Sequence, residues 1–360
     1  MNSPLYIASV DAFVGKSLTA LALGLELREA GLRVGYLRPL GTLPYQVRGV
    51  VTDEDAHFIT NHLNPDAPLE AICPILLTPE LREQALKGES KDLEARIKQA
   101  YMMVAADRDV VIVGGLGDLA RGWLFGLSAP VVAELLDART LVLAKFASDA
   151  TVEKVLEAKS LLGDRLAGVI FNFVGPDDRE SLEGLVGRYL ESRGIPVLGA
   201  IPADDLLGAI TVRELAEHLS AKLLCCEKAL DELVVRFVIG AMGVASAAKY
   251  FRQIADKGVI TGGDRADIQL AALQTATKVI VLTGNIYPSA VIVKRAQQLG
   301  VPLLLAPHDT LATVERIERI TGRLRVREAA KVERAQALFR EHVDMGRLRA
   351  LAGLAASSPP

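Results

Sequence analysis

Strand-length runs of apolar residues recur along the first half of the sequence and alternate with segments of helical periodicity. This alternation is typical of βαβ units, in which right-handed crossovers place helices over both faces of a parallel sheet. Strands buried on both faces are uniformly apolar, as these runs are. The runs lie at 4–10, 33–38, 109–114, 139–147, 167–174 and 196–201. The sequence therefore predicts an α/β fold with a mostly parallel sheet, whose ligands bind at the carboxyl ends of the strands.

The stretch from Pro202 to Gly208 interrupts this pattern with proline, glycine and two acidic residues, which favours a domain boundary there. A second, smaller α/β unit is predicted beyond it, because 360 residues exceed one ordinary core. We expect a helix at 211–219, strands near 233–239, 258–262, 278–283 and 302–306, and a charged helical stretch from about 327. The predicted domains are 1–208, 209–345 and a C-terminal tail, 346–360, with a frayed end at 356–360.

The charge and the ends of the sequence narrow the expected partners and location. The formal net charge is only -3, with acidic and basic residues interspersed, so neither nucleic acid nor an anionic membrane surface is an expected partner. The N-terminus lacks a cationic segment followed by a long apolar one, so we expect a cytoplasmic protein. Cys73, Cys225 and Cys226 have no metal-binding spacing and are expected to be reduced thiols.

Gly15, Lys16 and Ser17 lie between the first predicted strand and a predicted helix, 18–30. In a phosphate-binding loop at this place, backbone N–H groups hold phosphate oxygens, the lysine neutralises phosphate charge and the serine hydroxyl binds Mg²⁺. The strict pattern GxxxxGK[ST] requires glycine at position 10, where this sequence has Val10. Two interpretations stay open: a phosphate loop, or a glycine turn with a solvated lysine.

The loop resembles that of dethiobiotin synthetases, whose pattern is GTDTxVGKT. The matching residues are Asp11, Val14, Gly15, Lys16 and Ser17, and those that depart are Ser9, Val10 and Ala12. Three further segments resemble that family: 35–40 its GYKPV strand, 55–56 its metal-binding Asp-Ala pair, and 168–172 its GVxxN base-recognition strand. The resemblance spans residues 1 to about 202 and implies a bound ATP or ADP with Mg²⁺.

Carried over residue by residue, the resemblance implies two sets of site residues. The expected nucleotide contacts are Asp11, Val14, Gly15, Lys16, Ser17, Leu18, Arg38 and Asn172, and the expected metal ligands are Ser17 and Asp55. Asp53 is the less favoured ligand of the acidic cluster 53–55. Acids at the start of a helix also favour the helix dipole without any metal, so this alternative stays open.

The second half resembles the DRTGG domain, which follows a dethiobiotin-synthetase-like domain in the N-terminal region of bacterial phosphotransacetylases and in related stand-alone proteins. The residues that carry this resemblance are 260–269 and 282–285, and it covers roughly 213–345. The acetyltransferase domain of those enzymes has no counterpart in this sequence, so acetyl transfer is not expected. The turns at Gly262-Gly263 and Thr283-Gly284-Asn285 could border a small-ligand pocket or simply reverse the chain.

Two catalytic groups of the ligases are replaced. Their metal-side glutamate corresponds to Gly114 here, with Asp118 as a possible substitute, and their lysine of KPV corresponds to Arg38. Arginine binds anions in a planar fork and stays protonated, which makes it a poor replacement for lysine in a tight catalytic geometry. A surface cation at the end of the strand is the alternative interpretation of Arg38.

These observations predict a nucleotide-binding regulatory or sensor protein, with a possible protein partner in acyl-phosphate metabolism. The first alternative is a Mg-ATP-dependent ligase acting on a small carboxylate or amine, and the second is an assembly module with an inactive loop. Self-association through the DRTGG domain is also expected, because the run 233–244 is more apolar than one short strand requires. A central strand leading into a buried helix is the alternative.

Overall fold

The computed structural model describes residues 3–146, 148–321 and 329–354. These residues divide into two compact units. The first unit contains the described residues up to Ala203 together with those from Ala329 onward, and the second begins at Asp204 and ends with a helix, Thr310–Thr321. The predicted boundary after residue 208 lies five residues from this division.

A parallel sheet forms the centre of the first unit. The strands of this unit are β1 (Ser3–Ser9), β2 (Val34–Leu37), β3 (Leu40–Gly41), β4 (Pro44–Val47), β5 (Val50–Asp53), β6 (Ile75–Leu76), β7 (Val110–Gly114), β8 (Arg139–Lys145), β9 (Leu166–Val174) and β10 (Val197–Pro202). Six of them pair in the order β10-β9-β8-β1-β7-β2, every pair parallel. This confirms the predicted α/β fold with a mostly parallel sheet.

Helices cover both faces of this sheet, as parallel pairing requires. They are α1 (Lys16–Glu29), α2 (Glu54–Leu63), α3 (Leu69–Ile72), α4 (Pro79–Leu86), α5 (Leu93–Ala105), α6 (Ala129–Leu135), α7 (Asp149–Leu162), α8 (Arg179–Ser181) and α9 (Gly187–Ser192). The Thr78 side chain caps α4 by accepting from the N–H of Leu81, and Pro79 begins that helix with the φ angle already set. Within the described ranges, no helix is both long and apolar enough to cross a lipid bilayer.

The second unit is a smaller α/β fold. Its strands are β11 (Ile210–Thr211), β12 (Lys222–Cys225), β13 (Leu233–Val234), β14 (Arg236–Ile239), β15 (Lys257–Gly262), β16 (Thr277–Thr283) and β17 (Leu303–Leu305). Its helices are α10 (Asp205–Gly208), α11 (Val212–Leu219), α12 (Val244–Arg252), α13 (Ala266–Leu273), α14 (Ala290–Leu299) and α15 (Thr310–Thr321). The main sheet has the order β12-β17-β16-β15-β14, in which only β12 runs antiparallel.

The apolar run 233–244 does not form a central strand. β14 lies at the edge of the sheet and pairs on one side with β15. Val238 is buried, but Ile239 and Val244 are about two-fifths exposed, at 40% and 42%. The central-strand alternative is therefore wrong, since apolar side chains and one side of the strand backbone face outward within this unit.

After residues 322–328, which lie outside the described ranges, the chain returns to the first unit. There α16 (Ala329–His342) packs against α1, and α17 (Met345–Leu351) follows. Arg340 of α16 donates to Glu26, with Nη2 and Oε1 2.7 Å apart. The stretch 209–345 predicted for the second domain thus includes a helix that belongs to the first compact unit. The predicted tail contains α17, and its expected frayed end lies outside the described residues.

We predict that truncating the buried face of α16 destabilises the first unit. Phe339 is 1% exposed, and Phe339→Ala should lower the free energy of unfolding by about 3–5 kcal/mol because it leaves a cavity. Glu333, exposed on the same helix, provides the control Glu333→Ala, which should change stability by less than about 0.5 kcal/mol. Guanidinium denaturation of the full chain measures both, and equal stabilities would contradict a structural role for α16.

Candidate nucleotide-binding site

The loop between β1 and α1 is shaped by a glycine with a left-handed backbone. Gly15 has φ +86°, and a Cβ atom there would lie 2.7 Å from Nδ2 of Asn172. The same Nδ2 donates to the carbonyl oxygen of Val14 at 3.0 Å. Both features require glycine at position 15, because other residues adopt this conformation only with strain. Val14, Gly15 and Asn172, predicted separately as nucleotide contacts, therefore meet at one place.

The half-buried Lys16 is the first residue of α1, and its side chain extends back toward the end of β1. Its Nζ donates to Ser9 Oγ at 2.7 Å and to the carbonyl oxygen of Gly117. Burial and then the positive charge of Arg38 lower the pKa of Lys16, Asp118 opposes them, and the net result is a pKa of about 8. An ammonium group thus lies above the carboxyl end of the central strand, where the sequence predicts phosphate.

Ser9 is a site residue that the motif comparison missed. It stands where the dethiobiotin synthetase pattern has its first glycine, and it is 1% exposed. Its hydroxyl accepts from Lys16 and lies 2.6 Å from the carbonyl oxygen of Asp11. The departure from glycine was the available signal, since a hydroxyl at this position can hold the loop lysine.

Ser17 and Asp55 lie together, as the resemblance implies. Oδ2 of Asp55 accepts from Ser17 Oγ at 3.3 Å and from Arg38 Nη1 at 3.1 Å. Burial raises the pKa of Asp55, repulsion by Asp53 acts in the same direction, and Arg38 and Ser17 oppose it. One carboxylate oxygen therefore joins the first turn of α1 to the arginine that follows β2.

Asp53 has a structural role in this cluster. Its Oδ2 accepts from the backbone N–H groups of Thr42 and Leu43 at 2.9 and 3.0 Å, and its Oδ1 caps α2 by accepting from Ala56 N at 3.1 Å. The Nε atom of Arg38 lies 3.5 Å from that Oδ1. Because three backbone groups already occupy the carboxylate, Asp53 serves as a helix cap and as the second anion beside Arg38.

Arg38 is buried, so the alternative of a surface cation is wrong. The residue is 8% exposed and follows the strand β2, and its guanidinium lies between two carboxylates. Burial alone would lower the pKa of Arg38, but Asp53, Tyr36 and Asp55 together raise it above the ordinary value. The guanidinium is therefore charged at every accessible pH.

The side-chain space at Gly114 is already filled. A Cβ atom on Gly114 would lie 2.2 Å from the hydroxyl oxygen of Tyr36 and 3.0 Å from its Cζ atom. Tyr36 is 1% exposed, and burial raises the pKa of its phenol above the ordinary value. Asp118, the suggested substitute, caps its own turn, since its Oδ1 accepts from the Ala120 and Arg121 N–H groups at 3.0 and 2.9 Å. Its role as a replacement carboxylate stays a prediction.

The segment after β7 carries the carbonyl that accepts from Lys16. Gly117 has φ +57°, Leu119 is buried, and a short 3-10 turn, Trp123–Phe125, follows. Trp123 is 69% exposed and Leu124 is 48% exposed. The segment is thus anchored at one end by the lysine contact and presents large apolar groups at the other.

Two of the predicted nucleotide contacts, Asp11 and Leu18, have side chains that interact elsewhere in the first unit. Asp11 pairs with Lys154 of α7, a partner that the sequence reasoning missed, and both side chains are partly exposed. Leu18 is 7% exposed and packs inside the unit, which leaves its backbone N–H as the group that could reach a phosphate.

As folded, these residues fit a protein-held Mg²⁺ ion poorly, because the carboxylate beside Ser17 is already paired with Arg38. Among the described residues, no group of three or more His, Cys, Asp or Glu side chains could hold a metal ion. Mg²⁺ is usually held by one or two carboxylates together with phosphate oxygens. Here Oδ2 of Asp55 already accepts from Ser17 and Arg38, and Tyr36 fills the space at the second position. The predicted Mg²⁺ stays a prediction.

The glycine turns of the second unit pack against one another. A Cβ atom on Gly263 would lie 1.7 Å from the carbonyl oxygen of Ile286. Gly284 N donates to His308 O at 2.7 Å, and the hydroxyls of Thr283 and Thr310 are 2.8 Å apart. Close packing explains glycine at position 263, and it supports the interpretation that these turns reverse the chain.

The central strand followed by a glycine-lysine-serine loop and a helix defines a P-loop NTPase-type domain. Residues 3–211 match the family model of the AAA domain, and residues 214–320 match that of the DRTGG domain. The chain belongs to this AAA domain family and carries a DRTGG domain after it.

Similar proteins agree with this assignment. The phosphate acetyltransferase of Synechocystis sp. is 26% identical over 360 residues, covering 96% of this chain and 51% of that protein. The ATP-dependent dethiobiotin synthetase BioD of Anaeromyxobacter dehalogenans is 30% identical over 185 residues, covering 49% of this chain and 80% of that protein. The chain spans about half the length of the phosphate acetyltransferases it matches. Both predicted resemblances, to BioD and to the N-terminal region of phosphate acetyltransferases, are confirmed.

We predict that a side chain at position 114 clashes with Tyr36. Gly114→Ala should lower the free energy of unfolding by about 1–3 kcal/mol, because the added methyl group overpacks the site. Tyr36→Phe removes the hydroxyl 2.2 Å from the added atom, so the double variant should recover part of that loss. Gly184→Ala is the control, since no heavy atom apart from its chain neighbours and its own helix backbone lies within 4 Å of its Cβ position. Denaturant titration measures the wild type and the four variants, and additive effects of Gly114→Ala and Tyr36→Phe would contradict the clash.

Proposed function

We propose that the first unit binds ATP or ADP, with the phosphates at the loop between β1 and α1. The observation that carries this proposal is the placement of Lys16 and Ser17 at the carboxyl end of the central strand, where the helix N-terminus offers free N–H groups. Lys16 would exchange its contacts with Ser9 and Gly117 for phosphate oxygens. Asn172 contacts the loop at Val14 and, by the resemblance of residues 168–172, corresponds to the last residue of the family's base-recognition strand.

The protein is proposed to act as a nucleotide sensor whose DRTGG domain receives or transmits the signal. The relation to phosphate acetyltransferases supports a protein partner in acyl-phosphate metabolism. Self-association through the second unit is part of the same proposal, supported by the edge strand β14 and by its exposed last residue, Ile239. Sedimentation of the full chain at micromolar concentration tests it, and a monomer would contradict this part.

A Mg-ATP-dependent ligase is the second candidate, and the placement of Asp55 beside Ser17 favours it. Two observations speak against this function. Arg38 is fixed between carboxylates and cannot act as the flexible lysine of the ligases, and Tyr36 fills the space beside Gly114. Phosphate release that depends on an added small carboxylate or amine, and is lost in Lys16→Ala, would support the ligase.

The nucleotide proposal predicts a stability gain that depends on Lys16. ADP or ATP at 100 times its Kd should stabilise the protein by about 2.7 kcal/mol, and Lys16→Ala should remove most of that gain. Lys87→Ala alters an exposed lysine at the C-terminal end of α4, and this variant should retain the stability gain. Thermal unfolding with and without nucleotide measures the difference. If the wild type and Lys16→Ala respond alike, the loop is not the binding site.

We also predict that affinity falls at alkaline pH. The pKa of Lys16 is about 8, so the ammonium is charged below that value and neutral above it. A phosphate stabilises the charged form, so binding above pH 8 must take up a proton, and the Kd should rise by up to about tenfold per pH unit. Calorimetry in buffers of different ionisation enthalpy detects the uptake. Lys16→Ala should bind weakly without this dependence, and a flat wild-type profile would contradict the assignment.

A further inference from the structure

The cluster of Arg38, Asp53 and Asp55 beside the loop indicates how repulsion between a carboxylate and bound phosphates is avoided. This inference rests on the proposed nucleotide function. The phosphates of a nucleotide placed over Lys16 and Ser17 lie next to the carboxylate of Asp55, which Ser17 contacts. A bare carboxylate would repel them, and a divalent cation usually removes that repulsion. We propose that Arg38 replaces this cation, so that the site binds ATP or ADP without Mg²⁺.

The geometry assigns this role to Arg38 through one oxygen atom. Nη1 of Arg38 donates to Oδ2 of Asp55 at 3.1 Å, and the same oxygen accepts from Ser17 at 3.3 Å. A metal ion bound by Ser17 and Asp55 would share this carboxylate with the guanidinium and would bring a second cation close to it. Binding the metal therefore weakens the arginine contact, because two cations then compete for one carboxylate.

Weakening the ion pair of Arg38 and Asp55 costs free energy, because Arg38 has little access to water. Its side chain is 10% exposed, and its second anion, Asp53, lies at 3.5 Å with its oxygens already shared with backbone N–H groups. Breaking a buried ion pair leaves an uncompensated charge, and the guanidinium cannot lose its proton. The ion pair of Arg38 and Asp55 is therefore the stable arrangement, and it competes with Mg²⁺.

The position at which the ligases have their second metal-side carboxylate provides no ligand for a metal here. Gly114 stands where the ligases have a glutamate, and the hydroxyl of Tyr36 fills the adjacent space. With Asp55 neutralised by Arg38, the charges left for the phosphates are those of Lys16 and of the N–H groups at the start of α1. Free N–H groups at a helix N-terminus form an anion-binding site in which no protein-bound metal takes part.

The experiment measures ADP affinity by calorimetry in excess MgCl₂ and in EDTA. For the wild type, the two Kd values should agree within about threefold. Arg38→Met uncovers the carboxylate and should weaken binding in EDTA by more than about tenfold, with recovery in MgCl₂. Arg33→Met is the matched control, since this exposed arginine lies before the same strand and pairs with Asp109. It should behave as the wild type does.

Asp55→Asn keeps the test valid if Arg38→Met fails to fold. The amide carries no charge to neutralise, so this variant should bind ADP equally in EDTA and in MgCl₂, as should the double variant Arg38→Met, Asp55→Asn. Wild-type binding that is lost in EDTA and present in MgCl₂ would overturn the role of Arg38 and leave the nucleotide proposal intact. An absence of binding in both buffers would overturn the nucleotide proposal itself.

Discussion

The pairing of β1 with a parallel neighbour on each side determines where every part of the candidate site lies. β1 is bonded to β7 and to β8, so its carboxyl end opens in the middle of one sheet edge. The loop leaving β1 meets Gly117 after β7 and Asn172 near the end of β9. Arg38 reaches the same edge from β2. A central parallel strand thus brings together residues that are far apart in the sequence, as the rule for α/β sheets requires.

Much of the fold could be predicted from the sequence, because fully buried parallel strands have a strong apolar signal. The predicted strands at 109–114 and 167–174 correspond to β7 and β9 within one residue at each end. The hairpin of β4 and β5 could not be predicted in this way. Its turn is Arg48-Gly49, with φ angles of 48° and 84°, and lacks the usual Asn-Gly signal. β4 is mostly exposed, and the buried residues of β5, Thr52 and Asp53, are polar, so the two strands show no apolar alternation.

Features that depend on distant residues were beyond the reach of local patterns. Nothing in the helical stretch after residue 327 indicates that it packs against α1, since that contact depends on three-dimensional closure. The same is true of Tyr36, whose hydroxyl fills the space beside Gly114 from a neighbouring part of the sheet edge. Where the sequence departs from the dethiobiotin synthetase pattern, the replacing residues make contacts within the site. Ser9 holds Lys16, and Arg38 holds Asp55.

The exposed indole of Trp123 has a practical consequence. It is the single tryptophan of the sequence, and it lies in the segment whose Gly117 carbonyl accepts from Lys16. Indole fluorescence depends on the polarity and mobility of its surroundings, so any movement of this segment changes the emission of the whole protein. The fluorescence of Trp123 can therefore report conformational changes at the carboxyl end of β1 in the native chain, without an added label.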